Sequence, residues 1–187
     1  MRAVVVYESV FGTTHHLAEA VAEGLRDRMW VVTLPPEDVG PGHLVGADLL
    51  VVGGPTHDHG HDLDHDLDRD LDRDLDRTGS TNRHRDVDDA AYGEPLRRWF
   101  HHIGTGDGRA AAAFDTRLGG PAPATGRAAA GIARRLRHRG WDVVADPESF
   151  RIDDAAHLAD GEVDRARTWG VELAEALARR QARHPVG

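Results

Sequence analysis

The sequence contains no cysteine among its 187 residues. This absence excludes disulfide bonds, cysteine-ligated metal clusters and any redox mechanism that cycles a dithiol. Long apolar runs are also missing, because runs such as residues 3–7 and 49–52 are far shorter than the roughly 20 residues that a membrane-spanning helix needs. No basic segment followed by an apolar one opens the chain, so we see no secretory signal and expect a cytoplasmic protein with no membrane partner.

Lysine is also absent, and all 23 basic residues are arginine. We attribute this usage, together with abundant alanine and glycine, to a GC-rich coding sequence rather than to nucleic-acid binding. The formal net charge of −9 is unsuited to a polyanionic partner, and we therefore expect no nucleic acid. With 40% hydrophobic residues, the chain is long enough to fold as one domain around a workable core.

The N-terminal segment has the pattern of a buried strand followed by a loop and an amphipathic helix. Residues 3–7 are apolar without alternation, which is typical of a strand buried on both faces of a parallel sheet. Beyond a loop at residues 9–14, apolar side chains return at helical spacing, at Ala18, Val21 and Leu25. The loop therefore joins a buried strand to the N-terminus of a helix.

This loop has the chemistry of a phosphate-binding site. The N–H groups of a first helical turn, the positive end of the helix dipole and the hydroxyls of Ser9, Thr13 and Thr14 all favour an anion. Gly12 lets the backbone approach a ligand closely. The loop has neither the lysine of a Walker loop nor the three spaced glycines of a dinucleotide fingerprint, so neutral donors would hold the anion. The alternative is an ordinary strand-to-helix turn capped by Thr13.

Strand and helix patterns alternate through the rest of the chain. We predict further strands at residues 29–34, 48–52, 109–116 and 141–145, with 148–152 extending the last edge, and further helices at 92–103, 126–139 and 160–180, the last capped by Asp160. The alanine run within 109–116 has helical propensity, but its place in the alternating order favours a buried fourth strand. The alternation predicts an α/β fold with a doubly wound parallel sheet and helices on both faces.

An insertion at about residues 61–93 interrupts this globular pattern. It contains four copies of a tetrapeptide of the form His/Arg-Asp-Leu-Asp, and residues 57–89 hold 12 aspartates against 5 arginines. Nearly all of the net negative charge therefore belongs to this part of the chain, and we predict that it is disordered. His57, His59 and His61 could bind a transition metal, but a low-complexity loop lacks the rigid surroundings that a defined site needs. We assign no metal site.

Two of these segments together resemble the flavodoxin family. The first is Ser9-Val10-Phe11-Gly12-Thr13-Thr14, which is similar to the family's phosphate loop, with Phe11 where a hydroxyl is more usual. The second is the predicted strand at 48–52 with the following Gly53-Gly54-Pro55-Thr56, which is similar to the third strand of flavodoxins and the start of their flavin-ring loop. The resemblance implies a single flavodoxin-like domain, with a five-stranded parallel sheet in the order 2-1-3-4-5 and a binding crevice between strands one and three.

The resemblance also implies FMN as the cofactor and indicates its contacts. The FMN phosphate would lie on the loop formed by Ser9, Val10, Phe11, Gly12, Thr13 and Thr14. The isoalloxazine ring would lie between Pro55, Thr56, His57, Asp58 and Gly60 on one side and Asp115, Thr116 and Arg117, from the loop after the fourth strand, on the other. His57 replaces the family's ring-stacking tryptophan, and the second stacking aromatic is also missing. We therefore expect weaker FMN binding and a smaller shift of the flavin potential than in an ordinary flavodoxin.

The function implied by the resemblance is a low-molecular-weight FMN electron carrier that works with a redox partner protein. Two alternatives remain open. The chain could be an FMN-dependent NAD(P)H quinone or nitro-compound reductase, or a flavin-free binding module whose acidic insertion contacts the partner. We assign no catalytic residue, because the histidine pairs at 15–16 and 101–102 are typical of solvent-facing or core-edge helix positions.

Overall fold

The structure is a computed structural model that describes residues 1–56, 93–119, 128–153 and 155–183. Our predictions for the acidic insertion fall almost wholly on residues 57–92, which lie outside the described residues. In chain order the elements are β1 (Arg2–Tyr7), α1 (Thr13–Arg26), β2 (Trp30–Leu34), a 3-10 turn (Pro36–Asp38), α2 (Pro41–Leu44), β3 (Leu49–Pro55), α3 (Glu94–His102), β4 (Ala110–Leu118), α4 (Ala128–His138), β5 (Asp142–Val143), β6 (Glu148–Ile152) and α5 (Glu162–Arg183).

These strands form one parallel sheet. Its main path runs β2-β1-β3-β4-β5, and β6 pairs with the second half of β4. The central strand β1 is parallel to both of its neighbours, with Val4 opposite Val32 of β2 and Leu50 of β3. The predicted strand order and the predicted parallel direction are both confirmed.

The edge of the sheet beyond β4 differs from the prediction in the length of one strand. The sequence predicts a fifth strand at 141–145 and an extension of that edge at 148–152; β5 covers only Asp142–Val143, whereas β6 occupies the predicted extension. Pro147 explains the interruption, because proline has no N–H to donate to the strand ladder. β4 is long enough to pair with both pieces, through Ala110 and Ala111 with β5 and through residues 114–118 with β6.

Helices cover both faces of the sheet and bury two apolar cores. α1 and α5 pack on one face, whereas α3 and α4 pack on the other. Their buried inward residues include Leu17, Val21 and Leu25 of α1, Trp169, Leu173 and Leu177 of α5, Leu96 and Phe100 of α3, and Ile132 and Leu136 of α4. Because both faces are covered, the inner strands are apolar throughout rather than alternating, as the sequence predicts.

β4 shows how the surrounding fold overrides intrinsic propensity. Alanines 110–113 favour a helix in isolation. All four are buried in the sheet, where they pair with residues 49–52 of β3. The predicted fourth strand is therefore confirmed.

The longest helix, α5, begins later than predicted. It starts at Glu162, so Asp160 lies two residues before the helix rather than at its cap. The buried carboxylate of Glu162 accepts the N–H of Arg151 and forms an ion pair with Arg165, which holds the helix start against β6. Neither α5, with 22 residues, nor any other helix in the described ranges is apolar enough along its length to cross a membrane.

α1 and α5 approach each other closely through two glycines. A Cβ atom built on Gly24 would lie 2.0 Å from the carbonyl oxygen of Arg167, and one on Gly170 would lie 2.2 Å from the carbonyl oxygen of Val21. Real Cβ atoms do not sit this close to backbone oxygen, so both positions require glycine for the observed packing. The two helices thus hold one face of the sheet at a fixed distance.

We predict that Gly24→Ala lowers the free energy of unfolding by about 1–3 kcal/mol, because the added methyl group forces the two helices apart. Gly42→Ala in α2 is the matched control, since a Cβ at Gly42 meets no atom within 4 Å. The control should stay within about 0.5 kcal/mol of the wild type. Equilibrium urea unfolding measures both, and equal stabilities for the two variants would contradict the close packing of α1 on α5.

Candidate functional site

The carboxyl ends of β1, β3 and β4 bring distant segments of the chain together. β1 leads to α1 on one face of the sheet, whereas β3 leads to α3 on the other, so the sheet changes winding direction between these two strands. Parallel α/β sheets bind ligands at such a switch point. Thr14 Oγ1 at the start of α1 lies 3.0 Å from Thr116 Oγ1 in β4. The predicted phosphate loop and part of the predicted ring-binding segment therefore meet at this edge.

The N-terminus of α1 is open to an anion. Gly12 precedes the helix with φ of +86°, a left-handed conformation that glycine adopts without strain. No side chain among the described residues caps this helix end, and its first helical bond runs from the N–H of His16 to the carbonyl of Gly12. The N–H groups of Thr13, Thr14 and His15 come before that bond and have no helical acceptor. They form the anion-attracting helix end that the sequence predicts.

The three hydroxyls of the loop have different surroundings. Thr13 Oγ1 donates to the carbonyl oxygen of Ala156, and Gly12 takes the cap position, so the alternative in which Thr13 caps α1 is wrong. Thr14 Oγ1 is paired with Thr116. Ser9 Oγ is buried and has no hydrogen-bond partner among the described residues. Because a buried hydroxyl without a partner costs free energy, Ser9 is the loop hydroxyl that a ligand oxygen would satisfy.

A cleft of about 280 Å³ lies beside this helix end. Ser9 and Gly12 of the predicted phosphate loop line it. The other lining residues come from β1, α1, the segment after β2 and the start of α3, and they are Tyr7, Glu8, His15, Pro35, Pro36, Glu37 and Pro95. The cleft therefore extends from the loop toward the β2 side of the switch point.

Glu8 is the buried carboxyl group of this cleft. Its residue is 6% exposed, and Oε2 accepts the N–H of Leu96 in the first turn of α3 at 3.3 Å. Gly93 packs so closely on Glu8 that a Cβ there would lie 1.6 Å from Oε1. Burial raises the pKa of Glu8, and the Leu96 N–H and the positive charge of Arg97 only partly oppose that effect.

Thr56 and Asp115 hold the N-terminus of α4. Thr56 Oγ1 accepts the N–H of Ala128 at 3.2 Å, and Asp115 Oδ2 accepts the N–H of Ala129 at 2.8 Å. Asp115 is 0% exposed, and burial raises its pKa, although the Ala129 N–H and the hydroxyls of Ser149 and Thr56 act in the opposite direction. Two of the residues predicted to contact a flavin ring therefore fix a helix end.

The other residues predicted to bind the ligand differ in exposure and in position. Val10 and Phe11 are 59% and 82% exposed. Asp115 and Thr116 lie within β4, as the predicted strand at 109–116 places them, and pairing with β6 carries β4 past Arg117 to Leu118, where a loop was expected. Pro55 is the last residue of β3. His57, Asp58 and Gly60 lie outside the described residues.

Glu8 and His15 are two of the cleft residues that the sequence did not predict. Glu8 does carry a signal, because it is a charged residue that ends an apolar strand directly before the loop. The His15 ring stacks on Tyr7 with a centroid distance of 4.7 Å and an interplanar angle of 11°. No spacing rule predicts that contact, since the two rings belong to different elements.

Metal binding has no support among the residues that the structure describes. They include no group of three or more His, Asp or Glu side chains arranged to hold an ion. The histidines that the sequence analysis weighed as ligands belong to residues 57–65, outside the described part.

Known proteins of the same fold are found by structure and not by sequence. No protein-family model matches the sequence, and no curated protein matches it significantly. Oxidised flavodoxin 1 from Bacillus cereus superposes with a TM-score of 0.64 at 17% identity, covering 94% of this chain and 98% of that one. A flavodoxin from the domain Archaea gives 0.59 at 23% identity, covering 95% and 99%. Rubredoxin:oxygen oxidoreductase from Desulfovibrio gigas gives 0.63 at 17% identity, covering 97% of this chain and 37% of its own. The chain therefore has a flavodoxin-like fold.

We predict opposite outcomes for two substitutions of Asp115. The pKa of Asp115 is higher in the folded state than in the unfolded state. Stability is therefore lost as the pH rises from the ordinary aspartate pKa to the raised one, because ionisation favours the unfolded state. Asp115→Asn removes this loss and keeps an oxygen acceptor for Ala129, so its unfolding free energy at neutral pH should equal or exceed that of the wild type. Asp115→Ala leaves the Ala129 N–H without an acceptor and should cost about 1–2 kcal/mol.

Denaturant unfolding from pH 4 to 8 tests both variants. The wild type should lose stability relative to Asp115→Asn as the pH rises. Parallel pH profiles for these two proteins would show that Asp115 ionises as easily in the folded state as in the unfolded state.

Proposed function

We propose that this chain binds FMN at the carboxyl edge of its sheet and serves as a low-molecular-weight electron carrier for a redox partner protein. The observation that carries the proposal is the uncapped N-terminus of α1 beside the buried, unpartnered hydroxyl of Ser9. A helix end of this kind attracts a phosphate group. The fold shared with flavodoxins supports FMN as the ligand that bears the phosphate.

The donors at this helix end fit a phosphate monoester. The N–H groups of the first turn of α1 would hold it together with Ser9 Oγ, and Gly12 leaves open space, since a Cβ there would meet no atom within 4 Å. The hydroxyls of Thr13 and Thr14 brace the loop against the segment before α5 and against β4. The loop is thereby ordered before the ligand arrives, which lowers the entropic cost of binding.

The flavin ring would lie beside the residues that end β3 and β4. The proposed contacts are Pro55, Thr56, His57, Asp58, Gly60, Asp115, Thr116 and Arg117. Bound flavin supplies the redox chemistry, while these residues hold the ring and exclude water from one side of it. Because His57 offers less stacking area than tryptophan, we expect lower affinity than in flavodoxins with two stacking aromatics.

The two alternative functions differ from a carrier in what they do with nicotinamide and flavin. A reductase would oxidise NAD(P)H and reduce a quinone without a second protein. A flavin-free binding module would take up no FMN at any concentration. A carrier binds FMN and passes electrons on only when a partner protein is present.

We predict that Ser9→Ala weakens FMN binding about tenfold, because it removes one hydrogen bond to a charged group. The same variant should bind riboflavin as the wild type does, because riboflavin has no phosphate for Ser9 to contact. Titration of the purified full-length apoprotein, followed by quenching of flavin fluorescence, measures both affinities.

Thr168→Ala is the matched control for this experiment. Its exposed hydroxyl on α5 donates to the carbonyl of Asp164, far from the helix end that binds the phosphate, so flavin affinity should not change. Absence of saturable binding at high micromolar FMN would rule out the proposed function. Equal FMN affinities for Ser9→Ala and wild type would remove Ser9 from the phosphate site.

A further inference from the structure

The cleft beside α1 has an unusual charge for a phosphate site. Among the described residues that line it, the carboxylates of Glu8 and Glu37 are the acidic groups, and no arginine lines it. A phosphate ester carries a charge of about −1.5 to −2 at neutral pH. The dipole of α1 offsets only part of that charge. A dianionic ligand in this cleft is therefore opposed by the protein's own carboxylates.

Glu8 cannot avoid this repulsion by moving away. Its Oε2 is held by the N–H of Leu96, and its Oε1 packs against Gly93. Like charges within about 4–6 Å of each other raise the pKa of a carboxyl group. Glu8 and Ser9 line the same cleft of about 280 Å³, so a phosphate that Ser9 holds there shares the cleft with the Glu8 carboxylate.

We propose that Glu8 takes up a proton when the phosphate ester binds, so that the cleft accepts its ligand only with the Glu8 carboxyl group protonated. The inference rests on the proposed function. It concerns a residue next to the phosphate loop rather than the loop donors themselves. Glu8 is thus a specificity-determining residue, which disfavours ligands of higher negative charge.

The groups that face Glu8 favour it as the site of proton uptake. Glu94 of α3 and Glu37 of the 3-10 turn raise the pKa of Glu8 further, while Arg97 of α3 lowers it. Burial keeps the pKa of Tyr7 above its ordinary value, so Tyr7 is neutral throughout the relevant range. His15 is the other titratable side chain that lines the cleft beside Tyr7, Glu8 and Glu37.

The proton balance has a defined effect on affinity. Above the pKa of Glu8, the carboxyl group of this residue is ionised in the free protein and protonated in the complex. One proton from solvent is therefore bound for each ligand, and the dissociation constant for FMN should rise by up to tenfold per pH unit in that range. Below the pKa, Glu8 is already protonated and the dependence disappears.

Glu8→Gln is the test variant, because glutamine keeps the oxygen that accepts the Leu96 N–H but carries no charge. Calorimetric titration of the full chain with FMN, in two buffers of different ionisation enthalpy between pH 6 and 8, counts the protons bound. We expect the wild type to take up as much as one proton more than Glu8→Gln. The variant should bind FMN more tightly than the wild type above the pKa of Glu8, and the difference should grow as the pH rises.

Glu37→Gln is the matched control, since it removes a carboxylate that lines the same cleft but is exposed to solvent. It should retain the wild-type proton uptake, as should His15→Gln, and thermal unfolding verifies that all three variants are folded.

Equal proton uptake by Glu8→Gln and wild type would overturn the inference and leave FMN binding intact. Loss of the uptake in His15→Gln alone would assign the proton to His15 and overturn it as well. No FMN binding by any of the proteins would overturn the proposed function together with this inference.

Discussion

The need of helix N-termini for hydrogen-bond acceptors is the constraint on which this site depends. Each helix that follows a central strand presents unpaired N–H groups at the carboxyl edge of the sheet. Glu8 supplies an acceptor to α3, and Thr56 and Asp115 supply acceptors to α4. Of these three helices, α1 is the one without a capping side chain among the described residues. Protein acceptors thus serve two helix ends, and a ligand anion can serve the third.

This use of carboxyl groups gives the edge a mixed electrostatic character. Glu8 and Asp115 are buried, and burial raises the pKa of both. Helix dipoles attract an anion to the place where these carboxyl groups, when ionised, repel it. The positive charges of Arg97 and Arg117 lower the pKa of Glu8 and Asp115, respectively, but burial outweighs them at both residues.

Much of the fold follows from patterns that are local in sequence. The apolar run of β1 and the helical spacing of α1 predict a strand, a loop and a helix in that order, and the structure confirms them. Resemblance to a known family adds the strand order, which is confirmed as well. The structure differs from the predictions at the ends of elements. β5 is shorter than the predicted strand at 141–145, α5 begins at Glu162, and pairing with β6 extends β4 to Leu118.

The sequence by itself determined the α/β class, the apolar strands, the inward faces of the helices and the position of an anion-attracting helix end. Each of these depends on residues that are neighbours in the chain, so spacing and residue type are sufficient to predict them. Only the tertiary structure decided which hydroxyls are already bonded, with Thr14 paired to Thr116 and Ser9 left without a partner. It also decided that Glu8 caps α3 from a position 88 residues away. Hydrogen bonds of this range depend on how strands and helices come together in space, and no local pattern encodes that arrangement.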